Sequence, residues 1–525
     1  SVAERTSSDR SINSDLLLTF KKEITKDLKG TLILGNALFD YKENNLNIGG
    51  TNLFVPELYN PSVRTGELTG GSSEFRERRV GWFADLTLDI SNYLSLNGAY
   101  RIDQASTLPI NDNKFDFYTF GASLSMLDAI PSLKSDTFNF WKLSASYSKT
   151  GYQPEIGFIN ELYTVPAGYP FGSTVGLATP TVGASKNFTP SFTKSYEIGT
   201  ELEFFSRRLS VKANYFNTTT DNEFLRASTS TSSGISQLKL NSGSMESKGF
   251  ELDLNASIIR NDNFEWKVGV NASKIKSEVL SLSEGAQRLQ TGLVAGDGSV
   301  GVYAQVGQSF PSLYGTAYTR DDEGHIMLNA NGDPIVSSEL KYLGTTTPTL
   351  IMGFNTSVRY KQFTLSAVAD YKTGHKYYNN LVDALEFTGS TQHSASAGRE
   401  PFVFPNSVYE YTPGVWSENT NITTSDGGYN FWTNTYNAIK ENYVVDATTL
   451  KLREVALNYD LPSKYLDRTF IKGISFGLVA RNIIMLRSAQ NKYTDPEFTT
   501  DTQQVTGFGT RNQLRRTASY GFKMD

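Results

Sequence analysis

No cysteine occurs in the 525 residues. A disulfide scaffold, a thiolate zinc site and a thiol nucleophile are therefore excluded. Histidine is nearly as scarce: His325, His375 and His393 stand far apart, without metal-ligand spacing, and read as solvated loop residues. No apolar run approaches the ~18 residues of a membrane helix, so helical spanning of a bilayer is excluded. Neither sign of charge dominates, since 49 Lys and Arg against 54 Asp and Glu leave a formal charge of −5. That balance argues against a nucleic-acid binder that works by phosphate neutralisation. The opening stretch SVAERTSSDRSINSD lacks a basic region, an apolar core and a cleavage box. Either the chain is mature or it starts inside a larger protein.

What the chain has in quantity is alternation. Val80, Trp82, Ala84, Leu86, Leu88 and Ile90 alternate with Gly81, Phe83, Asp85, Thr87 and Asp89. Phe250, Leu252, Leu254, Ala256 and Ile258 alternate with Glu251, Asp253, Asn255 and Ser257, and Phe264, Trp266, Val268 and Val270 with Glu265, Lys267, Gly269 and Asn271. Period two gives a strand one greasy and one polar face, whereas a helix needs period ~3.6. About fifteen such runs centre near 16–22, 31–41, 78–90, 93–102, 115–126, 140–148, 195–205, 208–217, 247–258, 264–273, 349–360, 362–371, 448–460, 473–482 and 516–524. Most are about ten residues long, enough for a tilted strand to cross the hydrocarbon core. In 448–460 the phase changes near Arg453–Glu454, which predicts a β-bulge.

The polar faces carry ionised residues inside strands: Glu197, Glu201, Glu203, Asp253, Lys267, Arg359, Asp370 and Arg481. In a soluble sandwich these look to bulk water and the greasy faces pack on a second sheet. In an outer-membrane barrel the greasy faces meet lipid and the charged faces line a wet lumen. Alternation alone leaves both open.

Connection lengths favour the barrel. Short links (Ile90–Tyr93, Phe205–Leu209, Ile259–Phe264, Lys361–Phe363) alternate with long ones near 42–74, 151–193, 218–246, 274–347, 378–446 and 483–514; the link near 106–114 is shorter. Tight inner turns and large external loops predict this alternation. Aromatics at run ends (Tyr41, Tyr93, Phe115, Trp141, Phe264, Tyr360, Phe363, Tyr371) fit an interfacial belt. The fold expected is all-β, a transmembrane antiparallel barrel. An odd strand count implies that an odd number of strands precedes residue 1, so residues 1–525 are expected to be the carboxy-terminal part of a larger barrel. Ala518, Tyr520, Phe522 and Met524 are expected to face lipid.

Several short marks in this order resemble the carboxy-terminal half of SusC/RagA-type TonB-dependent outer-membrane transporters. They are Tyr59-Asn60-Pro61-Ser62; Arg101-Ile102-Asp103 before Ser106; Trp141-Lys142-Leu143-Ser144-Ala145-Ser146-Tyr147 with Gly151; Ser195-Tyr196-Glu197-Ile198-Gly199; and Lys248-Gly249-Phe250-Glu251. Leu343-Gly344 with Pro348, Asp446-Ala447 before Leu450-Lys451-Leu452-Arg453-Glu454, Arg481-Asn482 and Tyr493-Thr494-Asp495-Pro496-Glu497 complete the set. Ser247 and Gln104-Ala105 depart from the common pattern. The resemblance implies a barrel of about 22 strands with an amino-terminal plug that is not in this sequence. It also implies a SusD-like surface lipoprotein as lid and energy from the TonB complex. Active import of an oligosaccharide or oligopeptide across the outer membrane, without catalysis or cofactor, is the function implied. A secreted β-sandwich adhesin or glycan-binding module, and a passive porin, are the alternatives.

Other motifs carry less. Gly296-Asp297-Gly298-Ser299-Val300-Gly301 matches a dinucleotide fingerprint but sits in a long loop. Asp321-Asp322-Glu323-Gly324 and Asn329-Ala330-Asn331-Gly332-Asp333 resemble calcium loops without the distal Glu; they flank His325-Ile326-Met327-Leu328 as the turns of a loop hairpin. Glu201 and Glu203 read as lumen electrostatics. Binding is expected in the long loops. Tyr411, Tyr429 and Trp432 with Asp426 in segment 408–436, and Tyr163 and Tyr169 in loop 151–183, are the candidate substrate contacts, since aromatic faces beside amides and carboxylates suit sugars or peptides. Trp416 resembles a family position and reads as structural.

Overall fold

In the computed structural model each of the fifteen alternating runs falls on a strand of one sheet. The structure describes every residue except 167–168, 170, 242, 283–284, 295–297, 468, 498–518 and 525, and for 519–524 the backbone only. The expected lipid-facing set at the carboxy terminus thus lies outside the described side chains. In chain order the strands are β1 Val2–Thr25, β2 Leu28–Gly50, β3 Thr69–Ile90, β4 Leu94–Ala105, β5 Lys114–Ser125, β6 Phe138–Tyr152, β7 Ser191–Phe204 and β8 Leu209–Asp221. They continue with β9 Ser244–Arg260, β10 Phe264–Ser281, β11 Leu350–Tyr360, β12 Phe363–Thr373, β13 Thr449–Asp460, β14 Ser475–Arg487 and β15 Ser519–Met524. They order consecutively, with antiparallel registers from β1 to β6 and from β10 to β15. Contacts divide the chain into two compact units, one of Ser1–Pro131, Lys142–Ile198 and Thr218–Ser244, the other of the remainder.

The greasy positions of the alternation stay uncovered. Trp82 is 64% exposed, Phe250 57% and Leu478 59%, whereas Leu313, in the segment between two strands of this sheet, is fully buried. A sandwich buries such faces between sheets. Here they are left for lipid, as in a membrane barrel.

In the first unit the polar face of the sheet is built closely. Gly81 pairs with Asp103, and a Cβ at Gly81 would lie 2.2 Å from Asp103 Oδ1 and 2.6 Å from Arg101 Nη2. The missing side chain makes room for the Arg101–Asp103 ion pair at 2.6 Å. Ile102 between them points the other way and is exposed. Loop segments of this unit pair as Phe224–Ser228, Gln237–Asn241 and Val182–Ala184, and Ala105, Leu108 and Phe115 pack against Phe117, Phe192 and Phe224.

In the second unit the phase change in β13 is a bulge. Val368 faces Glu454 and Ala369 faces Leu452, so Arg453 is extra, and the shift recurs on the β14 side. The unit's largest apolar clusters lie in the segments between β10 and β11 and between β12 and β13. Val300, Val302, Leu313, Leu343, Tyr378 and Tyr443 form one; Tyr318, Ile326, Leu328, Phe404, Phe431 and Trp432 form the other. Stretches expected as open loops therefore fold into a packed body. Short strands Arg288–Leu293, Val300–Gln305, Ser312–Gly315 and Lys341–Thr345 make a small sheet there. Fully burying one such large apolar side chain contributes about 2 kcal/mol, enough to hold these segments in one arrangement.

Candidate functional site

Two regions of the second unit concentrate polar chemistry. The first lies on β12 and β13. Period two puts Asp370 and Lys372 on one face of β12, and Lys451 on the matching face of β13. The bulge brings Arg453 to them. The segment after β14 returns Asp495 and Glu497 to the same place. Lys451 Nζ donates to Asp495 and to Glu497, each at 2.6 Å, and Lys372 Nζ donates to Glu497 at 2.6 Å. Arg453 reaches both Asp370 and Glu497. Three cations thus meet three carboxylates, and the buried Lys451 ammonium is matched. Burial alone would raise the Glu497 carboxyl. The hydrogen bonds from Arg453, Lys372 and Lys451 outweigh it and hold the group well below the usual carboxylate range.

The same returning segment is pinned by neutral bonds. Thr494 Oγ1 bonds Tyr377 Oη at 2.6 Å, accepts from Asn379 Nδ2 at 3.1 Å, and donates to Asn491 Oδ1 at 3.0 Å. Arg487 Nη1 donates to Thr494 O at 3.0 Å. Beside it, His375 just past β12 is mostly buried, and burial lowers its imidazole to about 4. Its buried Nδ1 has no hydrogen-bond partner among the described residues.

The second region is a pocket of about 550 Å³ in the packed body. Arg320, Lys341, Lys376, Glu441 and the rings of Tyr318 and Tyr342 line it. Glu441 is fully used: Oε1 accepts from Arg320 Nη2 at 2.9 Å and Oε2 from the Tyr318 backbone N–H at 3.1 Å. Burial raises the Tyr318 phenol, whose Oη donates to Asn442 at 2.7 Å. Behind the pocket Lys440 is buried and bonds Asp383 at 3.1 Å and Asn437 at 2.9 Å. No period or spacing marked Arg320, Lys341, Lys376 or Glu441; only the neighbouring Leu343-Gly344 stood out.

The aromatic candidates are distributed over both units. In the first, Tyr163 and Tyr169 are exposed. In the second, Tyr429 is exposed at 76%, and exposed Tyr411 donates to Asn421 Oδ1 at 2.8 Å. Trp432 is buried in the loop core, and its indole N–H donates to Gly427 O at 3.0 Å. Asp426 accepts the backbone N–H of Gly428 at 3.0 Å and of Phe431 at 3.2 Å. The Gly428 bond leads in lowering its carboxyl.

The remaining motifs resolve into local structure. Asp321 takes the backbone N–H of His325 at 2.7 Å and meets its Nδ1 at 3.0 Å; Glu323 stands close by, so the three offer ligand atoms within 4.8 Å of one another. Asn329 Oδ1 accepts from Asn331 and Asp333, and Asp333 holds Ser425. Bridges Arg320–Ile326 and Leu328–Pro334 fit the hairpin expected there. Gly296 and Asp297 lie outside the described residues, and the strand Val300–Gln305 follows where a dinucleotide site needs a helix. The histidines are not simply solvated. His393 Nδ1 lies 2.9 Å from the buried Glu386, and its ring packs on Trp432, because the segments carrying them are packed rather than open.

Residues 3–398 match the family model described as TonB dependent receptor-like, beta-barrel. The chain is 23% identical over 499 residues to TonB-dependent receptor P3 of Formosa agariphila, covering 90% of this chain and 48% of that protein. It is 22% identical over 346 residues to TonB-dependent receptor SusC of Bacteroides thetaiotaomicron, covering 63% and 32%. It therefore spans less than half the length of these curated relatives. The structure of the RagAB peptide transporter superposes with a TM-score of 0.76 at 18% identity, covering 93% of this chain and 53% of that one, a likeness of fold.

Proposed function

The chain belongs to the TonB-dependent receptor β-barrel family, and from that premise we propose that it forms barrel wall and external segments of an energy-driven importer of oligosaccharides or oligopeptides. Such chains are outer-membrane receptors, not enzymes. No helix described here is long and apolar enough to cross a membrane, which leaves crossing to the strands. The observation that carries the reading is the uncovered apolar face of the sheet beside a polar face of paired charges.

In this reading substrate is captured on the external side. The exposed rings of Tyr163, Tyr169, Tyr411 and Tyr429 offer stacking faces for sugars or peptide side chains. Asp426 and Trp432 serve by holding the turn that presents Tyr429. A SusD-like lipoprotein covers the external segments, and the TonB complex supplies the energy.

The test is uptake of labelled oligosaccharide and oligopeptide pools by cells with and without the gene. Import is expected to require both the gene and the energised TonB system. Uptake that persists after uncoupling makes the protein a passive porin. Copurification with a surface lipoprotein checks the lid.

A further inference from the structure

We propose that the pocket between Arg320, Lys341 and Lys376 is a subsite for a carboxylate-bearing unit of the imported oligomer. The inference rests on the importer reading and names the chemistry of its cargo. Arg320 is neutralised by Glu441, and both Glu441 oxygens are engaged. Two positive charges remain on the pocket wall. Lys341 has its nearest carboxylate, Glu339, at 3.9 Å, and Glu339 is four-fifths exposed, so the pair is weak. Lys376 pairs with no carboxylate among the described residues. Asp446 sits opposite it in the strand pair, but its Oδ1 is taken by the backbone and hydroxyl of Thr448 at 3.0 and 2.7 Å.

Lys376 is also placed rather than loose. Gly344 has φ +137°, and a Cβ there would lie 2.8 Å from Lys376 Cδ and 3.2 Å from its Cγ. The aliphatic stem of Lys376 fills the space that any other residue at 344 would take. The absence of a side chain at a family-marked position thus serves an uncompensated ammonium on the pocket wall. Lys376, the weakly paired Lys341, Ser338, Thr319 and the half-exposed Tyr342 ring surround a volume fit for one or two saccharide or amino-acid units. A carboxylate answers the charge, hydroxyls or amides answer the polar wall, and a flat apolar face answers the ring.

Binding of an oligogalacturonate and an oligoglutamate, each beside its neutral counterpart, a cello-oligosaccharide and an oligoglutamine, tests this on the intact outer-membrane protein in detergent. At least one acidic probe is expected to bind more tightly than its neutral form, and less so in high salt. Lys341→Gln with Lys376→Gln is expected to weaken that binding about tenfold per lysine. Lys376→Arg is expected to retain it, and heat-modifiable migration reports that each variant is folded. Preference for the uronate assigns a sugar cargo and preference for the glutamate a peptide cargo. Equal binding of acidic and neutral forms, failure of both acidic probes, or full affinity in the folded double variant overturns the subsite. The importer reading stands or falls separately, on whether uptake needs the energised system.

Discussion

Lys451 shows how much of the site is carried by single side chains. Its ammonium is nearly sealed from water and is tolerable only because Asp495 and Glu497 reach it. Lys451→Ala leaves carboxylates short of a partner and is expected to cost about 3 kcal/mol, read as a lower urea midpoint of the detergent-solubilised protein. The Glu497 carboxyl is depressed, so its contribution is present above the ordinary carboxylate range and is lost only as pH falls through a strongly acidic folded value. His375 behaves oppositely in origin but alike in sign. Its base is weakened from 6.5 to about 4, so between those values the unfolded chain binds the proton and the folded one does not. Stability therefore falls as pH drops from 6.5 toward 4, and His375→Gln is expected to remove that part of the slope in urea titrations run across the window. These partnerships were not legible in the sequence. Lys451, Arg453, Asp495 and Glu497 each stood out as marks, but nothing local says that a segment 44 residues on returns to the same wall. The aromatic candidates suffered similarly: composition found Trp432 and Tyr429 side by side, and only packing separates the buried ring from the exposed one.

At the scale of the strand, sequence reading was far stronger. Period two is a local signal, and all fifteen runs fall on sheet strands. The boundaries were short where lipid ends but pairing does not. β1 starts at Val2 rather than Leu16, and β2 runs on to Gly50 through polar residues such as Asn44 and Asn45. A ladder continues in water without a greasy face, so hydropathy stops before the strand does. The packed loop body was invisible for the converse reason: its apolar residues follow no single period because they come from many short pieces. The bulge at Arg453 is the most exposed prediction at this scale. Deleting Arg453 removes the extra residue and closes the ladder to β12 with Leu450 and Leu452 still on the apolar face and Lys451 still opposite Asp370, while Asn482 and Ile483 of β14 lose the residue they faced. The heat-modifiable band is expected to survive, with a lower urea midpoint from the lost Arg453 ion pairs and the looser β14 edge; loss of the band would mean that the bulge itself is needed for assembly. Arg453→Ala keeps the extra residue and is expected to assemble, with only the ion pairs to Asp370 and Glu497 gone.

For the whole molecule the decisive matter is what the uncovered apolar face touches. Among the described residues, the large buried clusters belong to segments between strands, while the sheet's own greasy positions stay open. A water-soluble protein would leave that arrangement prone to aggregation. A bilayer makes it stable, since acyl chains replace the missing second sheet. The two solvents respond differently to the same substitution. Leu86 lies on the apolar side of β3, opposite Leu32 and Gly98. Leu86→Arg is expected to cost about 2–4 kcal/mol if the strand crosses hydrocarbon near mid-depth, and within about 0.5 kcal/mol if it faces water. Phe171, exposed at a loop tip, supplies the control: Phe171→Arg changes the same chemistry outside the strands and is expected to fall within about 0.5 kcal/mol. Equilibrium folding from urea into lipid vesicles measures both. Equal, small effects at the two positions would mean that the sheet's greasy face is not a lipid face at all.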